Sequence, residues 1–157
     1  MNIITLYQNI RDAVHDDSAT QAWCTTNYAR KHKVYVGIDV RQPPDEGEYP
    51  LVNIYPGQRV AGDELEQQEN VIGVVAGLVE SGTLTTSKTN VVELKAISYV
   101  ETFRKKIETA VVGATLLGAF IQKVETDYDF IESFPFCFAF MDFYFGSYYS
   151  QGDDKLA

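Results

Sequence analysis

The sequence predicts an α+β domain. Its sheet is mixed but mostly antiparallel, of about five strands, with a long amphipathic helix over about residues 91–112 and a short N-terminal helix over about residues 3–15 packed on it. Three observations predict this. Apolar residues recur at steps of three and four between Asn90 and Ala114. The apolar period changes to two from Lys33 onward. A final run, Phe136 to Tyr149, is apolar on both parities, so each of its faces needs a cover.

In the long helix, Val92, Ala96, Tyr99, Val100, Phe103, Ile107, Ala110, Val111 and Ala114 fall on one side at about 100° per residue. Lys95, Ser98, Glu101, Thr102, Lys105 and Thr109 fill the other side. Asn90 followed by Glu93 reads as a capping box, Gly113 suits a left-handed exit, and Glu101–Lys105 is a favourable i,i+4 pair. At the N-terminus, Ile3, Leu6, Tyr7, Ile10 and Val14 form a second, shorter stripe that ends at Asp16-Asp17. Ser18 is then expected to cap a turn or two carrying Ala22 and Trp23.

Val34, Val36, Ile38 and Val40 alternate with Tyr35, Gly37 and Asp39 as a half-buried strand. The stretch from Gln42 to Glu48 is a stiff acidic loop, and a second strand follows from Leu51 to Tyr55. The acidic stretch Gly62–Asn70 is expected to be a solvated loop or irregular crossing. Val71–Val79 is rich in valine and interrupted by Gly73 and Gly77, and is expected to be a buried strand. Ser81–Asn90 is either a mobile loop or an extended arm. Beyond the helix, Phe120, Gln122, Val124, Thr126 and Tyr128 define one parity of a strand, with Lys123, Glu125 and Asp127 opposite. In the last strand Phe136, Phe138, Phe140 and Tyr144 share one side, and Cys137, Ala139, Met141, Phe143 and Phe145 the other. Either helices cover both faces, or another subunit covers one.

The chain has 157 residues, fits one domain over 1–150, and needs neither disulfide nor metal to hold a core. Residues 151–157 are expected to be a disordered tail, and Lys155-Leu156-Ala157 has the look of vector-derived residues. A net charge of −9 argues against a protein that grips nucleic acid by neutralising phosphates. Cys24 and Cys137 lie far apart in no metal-like spacing, and buried free thiols are expected. The start lacks the basic and apolar regions of a signal peptide, and the aromatic C-terminal run is too short and interrupted for a membrane helix.

Chemistry is sparse. His15 and His32 have no nucleophile or metal-ligand neighbour in sequence and read as exposed spectators. No GxSxG, HExxH, CxxC or P-loop pattern occurs, and Gly73 and Gly77 alone make no phosphate cradle. The acidic groups Asp45, Glu46, Glu48 and Glu64, Glu66, Glu69 and Asp127, Asp129 read as solvated faces rather than acid–base or metal sites. The trios Arg30-Lys31-Lys33 and Arg104-Lys105-Lys106 read as ordinary surface charge. These residues support no enzymatic activity and no cofactor. The surplus of large apolar residues on the last strand, with the Thr/Ser arm, points instead to association with other chains.

The element order carries a resemblance. A short helix leads to a strand and a Pro-rich acidic turn into YPLVNIYPG; NVIGVVAGLVE and a polar arm follow. Then come VELKAISYVETFRKKIETAV, a strand ending VETDYD, and a last strand opening at FPFCFAF. This layout, over Asn2 to Tyr149, resembles the tail terminator (tail completion) proteins of long-tailed bacteriophages. The resemblance implies an α+β fold and a hexameric ring that caps the tail tube, stops its polymerisation and offers a docking surface to the head-tail connector. DNA would pass through the ring without specific binding, and the protein would be assembled in the host cytoplasm and reside in the virion tail. On this reading Thr83, Leu84, Thr85, Thr86 and Lys88 of the arm, with Tyr49, Tyr55, Phe143 and Phe145, are interface candidates, and Glu64, Glu66 and Glu69 line or rim the channel. A neck or head-closure protein of the same virion is the alternative within this resemblance. A small-molecule or peptide-binding domain with the aromatic last strand as pocket wall is the alternative of another class.

Overall fold

A computed structural model describes residues 3–38, 44–60 and 67–148. The elements run α1 (Ile3–Asp16), α2 (Ser18–Tyr28), β1 (Lys33–Val36), a 3-10 turn (Glu46–Glu48), β2 (Leu51–Val60), β3 (Gln67–Val79), β4 (Thr83–Leu84), β5 (Glu93–Leu94), α3 (Lys95–Val112), β6 (Ala119–Asp129) and β7 (Phe136–Tyr148). The main sheet has five strands in the order β1-β2-β3-β7-β6. Only β1 and β2 run parallel; every other pairing is antiparallel. The fold class is therefore α+β, as the periodicities predict.

Why the three helices lie on one face follows from strand alternation. Ile72, Val74, Ala76 and Leu78 of β3 and Cys137, Ala139, Met141, Phe143 and Phe145 of β7 point to the same side and are wholly buried. Over them lie Leu6, Ile10 and Val14 of α1 and Ala96, Val100, Phe103, Ile107, Ala110 and Val111 of α3. Trp23 locks α2 onto this layer: its ring stacks on Phe103 with centroids 5.7 Å apart and meets Tyr99 edge-on at 5.6 Å. Outside the apolar seam, Arg104 bridges Glu101 and Glu108 along α3, and the Tyr128 hydroxyl of β6 donates to Glu101. The Arg104 guanidinium holds the Glu101 carboxyl down at about 2. The expected Glu101–Lys105 pair is present at 3.4 Å.

Several sequence expectations change. Strand β1 stops at Val36, because Gly37 turns left-handed (φ 78°) and its N–H donates to Ile54. The region after Asp17 is a full helix of 11 residues, capped by Asp17 rather than Ser18: the Thr20 N–H donates to the Asp17 carboxylate at 2.7 Å. The polar 67–70 segment belongs to β3, not to a loop, and pairs with the end of β7. Asn90 and Glu93 form no capping box. Glu93-Leu94 pairs with Thr83-Leu84 instead, Asn90 sits at φ 62°, and α3 begins after Leu94 without a side-chain cap. Val92 consequently lies outside the helix and is 80% exposed. Gly113 is right-handed (φ −78°); the left-handed turn comes at Leu117 and Gly118. In β6 a bulge between Ile121 and Lys123 switches the parity, so Ile121 and Val124 both face the helices.

His32 is buried, not an exposed spectator. Its ring lies 6.2 Å from Phe103 and its Nε2–H donates to the Val14 carbonyl at 2.8 Å, pinning the end of α1. That bond leaves Nδ1 as a buried acceptor without a partner. A second proton would have no acceptor, and burial lowers the His32 pKa; the Val14 carbonyl and Asp17 oppose this, His15 and Lys31 add to it. His15 is exposed and lies 2.7 Å from Asp16. Both cysteines are free and buried; burial pushes the Cys24 thiol up to about 12.

Two predictions follow from these contacts. A Cβ built on Gly73 would lie 2.2 Å from Tyr55 Cζ, so Gly73→Ala displaces that ring. Chemical denaturation should register a loss of about 1–3 kcal/mol, most of it absent when Tyr55→Ala is already present. For His32, the folded pKa lies below the usual 6.5. Its neutral form therefore contributes stability fully above about pH 6.5, and this is lost as pH falls through the folded value. Melting temperatures scanned from about pH 8 to about pH 5 should drop on the acid side, and His32→Gln, which can still donate to Val14, should flatten that drop.

Candidate interaction surface

The helices cover one face of the sheet, and the opposite face carries the other parity of every strand. From β7 this puts Phe136, Phe138, Phe140, Asp142 and Tyr144 outward; from β3, Val71, Gly73, Val75 and Gly77; from β2, Leu51, Asn53 and Tyr55. The aromatic rings lie flat where the backbone opposite has no side chain. Tyr55 covers Gly73, while Phe138 and Tyr49 crowd Gly77, where a Cβ would stand 2.9 Å and 3.1 Å from their rings. This roofing brings Val71 and Val75 down to 7% and 9% exposure without any helix above them. At one end, Tyr49 packs edge-on against Phe136 at 5.2 Å, and Glu48 of the 3-10 turn meets Lys33 and the Tyr35 hydroxyl. Farther along, Phe140 is 39% exposed.

Carboxylates rim the aromatic area on the β6 side. Asp142 is paired in register with Glu125, and Asp127 with Phe140. Lys123 is the cation among them, and it is held by Glu125 at 2.8 Å while stacking over Tyr144 at 4.2 Å. Asp142 sits half-buried between the rings, and its pKa is raised first by desolvation, then by Glu125 and Asp127.

The arm is the second exposed feature. Thr83-Leu84 and Glu93-Leu94 form a two-strand ladder at the start of α3, where the Lys95 N–H donates to Gly82 and Lys95 pairs with Glu80 at 3.3 Å. Between the strands, the Thr86 hydroxyl donates to the Lys88 carbonyl at 3.0 Å. Lys88 is exposed, as are Val91 at 48% and Val92 at 80%.

The interface candidates thus divide. Thr83, Leu84, Thr85, Thr86 and Lys88 do share one projecting hairpin. Tyr55 belongs to the outer face, and Tyr49 packs beside it but is only 5% exposed. Phe143 and Phe145 are corrected: both are fully buried beneath the helices, because their parity of β7 faces the core. Phe138, Phe140 and Asp142 take their place on the outer face. Their shared parity is legible in the sequence, but which parity the helices cover depends on the strand order. Glu69 lies in β3 on the outer-face parity; Glu64 and Glu66 fall outside the described residues.

A shallow cleft of about 360 Å³ lies between Tyr28, Arg30, Glu46, Gly47, Tyr49 and Val79. Among the described residues, no group of three or more His, Cys, Asp or Glu could hold a metal ion, and no helix is long and apolar enough to cross a membrane.

The chain matches no protein-family model and no curated protein. Its functional reading therefore rests on the surface described above and on the resemblance in element order.

Asp142 supplies a test of that surface. Its raised pKa means the charged form costs the isolated fold stability at neutral pH, a cost absent below the usual carboxylate range near 3.8 and fully present above the folded value. Asp142→Asn should raise the melting temperature at pH 7 by a few degrees in dilute solution, and this gain should vanish in acid.

Proposed function

We propose that this protein is a tail terminator of a long-tailed bacteriophage or prophage: a ring-forming virion protein, not an enzyme. The observation that carries the reading is the outer face of the sheet, an aromatic surface that the chain's own helices leave uncovered. Tyr55 and Phe138 shelter the glycine positions beneath them, but Phe140 stays 39% exposed with no helix above it. A subunit that repeats around an axis covers that ring with its neighbour.

The element order supports the same role. A terminator ring must match the end of a growing tube without re-creating that end, so its two sides must differ. This chain has unlike surfaces: an acidic aromatic sheet face and a hydroxyl-rich arm with a cation near its tip. In this role its partners are further copies of itself in a homo-hexamer, the tail tube protein and the head-tail connector. DNA passes through the ring and is not gripped, in keeping with a net charge of −9.

Light scattering coupled to size exclusion, with negative-stain microscopy, should find a hexamer-sized ring either free or on tube ends. Added to polymerising tube protein from the same genome, the chain should arrest tube growth. Tubes that lengthen unchecked in its presence would remove the terminator role.

A further inference from the structure

The arm and the outer sheet face both expose apolar residues beside charge, a lysine near the tip of the arm and carboxylates along the β6 side of the face. Between Ser81 and Val92 the one charged residue is Lys88, which is exposed, and it is followed by Val91 and Val92, 48% and 80% exposed. On the outer face, among the described residues, Glu69, Glu125, Asp127 and Asp142 lie near the cation Lys123, which Glu125 already holds, while Lys33 at the β1 end is taken by Glu48. The face is therefore apolar in its middle and negative along its β6 side. The arm carries the exposed valines and Glu93 at its base and Lys88 near its tip.

We propose that the arm of one copy docks on the outer sheet face of the next, laying Val91 and Val92 against Phe138 and Phe140 and setting Lys88 between Asp127 and Asp142. This deepens the ring reading above and rests on it.

Two features select this occupant. A twofold stack of two outer faces that places one β6 side over the other sets carboxylate against carboxylate, a repulsive arrangement. The arm's own strands β4 and β5 are tethered beside the start of α3, the helix that packs on the opposite face of the sheet. A contact between unlike surfaces on different copies avoids that repulsion. Such a contact leaves one arm and one face free on every dimer, so it propagates and closes into a ring where the rotation fits. Its ionic part gives the occupied face the counter-charge that Asp142 lacks in the single chain, and the bare aromatic rings supply the cation with a π surface.

The test uses the full-length chain and two variants. Lys88→Glu with Val92→Asp disables the arm and leaves the face intact. Asp127→Lys with Phe140→Ser disables the face and leaves the arm intact. Circular dichroism and melting curves verify that each folds; Asp127→Lys alone, on an exposed edge-strand position, replaces the second pair if it does not.

By light scattering each variant alone should be monomeric, with self-association weakened about tenfold or more. An equimolar mixture should form a dimer and stop there, because only one arm and one face remain competent. Combining Lys88→Glu with Asp127→Lys in one chain should restore part of the assembly, and wild-type association should weaken with added salt.

Wild-type chain that assembles while the arm variant assembles equally well overturns the pairing and leaves the ring reading standing. A mixture of variants that stays monomeric while wild type assembles does the same, as does a face that binds only a foreign protein. Wild-type chain that forms no oligomer, free or on tube ends, overturns the ring reading itself.

Discussion

Strand alternation gives β3 and β7 two apolar layers, while the chain has helices for only one of them. The inner layer is closed by α1, α2 and α3, with Phe103, Phe143 and Phe145 among its largest wholly buried side chains. Burial of such residues is worth about 1.5–3 kcal/mol apiece, and this layer holds the fold. The outer layer must manage differently. Its aromatic rings lie over glycines, which lowers the surface and shelters Val71 and Val75 without a third layer of structure. Most of what can be said about the protein's work follows from that asymmetry.

The same asymmetry accounts for the placement of charge. On the helix side, acids and bases pair within the chain: Glu101, Arg104 and Glu108 along α3, and Glu80 with Lys95 beside the arm. These pairs are partly exposed and individually small in effect, but they leave little net field. On the outer side, acids outnumber bases, and Asp142 is held among rings where its charge is poorly solvated. Excess charge beside an uncovered aromatic surface is costly for a chain that stays alone and useful to one that must choose its neighbour.

Much of this architecture was legible in the sequence. The stripe of α3 and the alternation of the strands depend on the period of apolar residues, which the chain states plainly. What resisted reading depends on contacts made at a distance. The helix α2 buries only Thr20 and Cys24 fully, so its periodicity is faint, and it is held by Trp23 stacking on a helix far along the chain. His32 sits within a run of basic residues that suggests surface, yet the chain folds it beneath Phe103. Asn90 and Glu93 have the spacing of a cap, but Thr83-Leu84 claims Glu93-Leu94 for a ladder. The same limit governed the surface candidates: Phe143 and Phe140 are both aromatic residues of one strand, and only the order of its neighbours says which one meets water.

The bulge in β6 bears on how copies can join. Among the described residues β6 is the outermost strand, 11 residues along the border of the sheet, the kind of border onto which a foreign strand readily zips. An extra residue at Gln122 breaks the regular spacing of that border, and Lys123, Glu125 and Asp127 stud its outer-face side. A neighbour cannot simply prolong the sheet sideways. Runaway fibre growth along that margin is thereby discouraged.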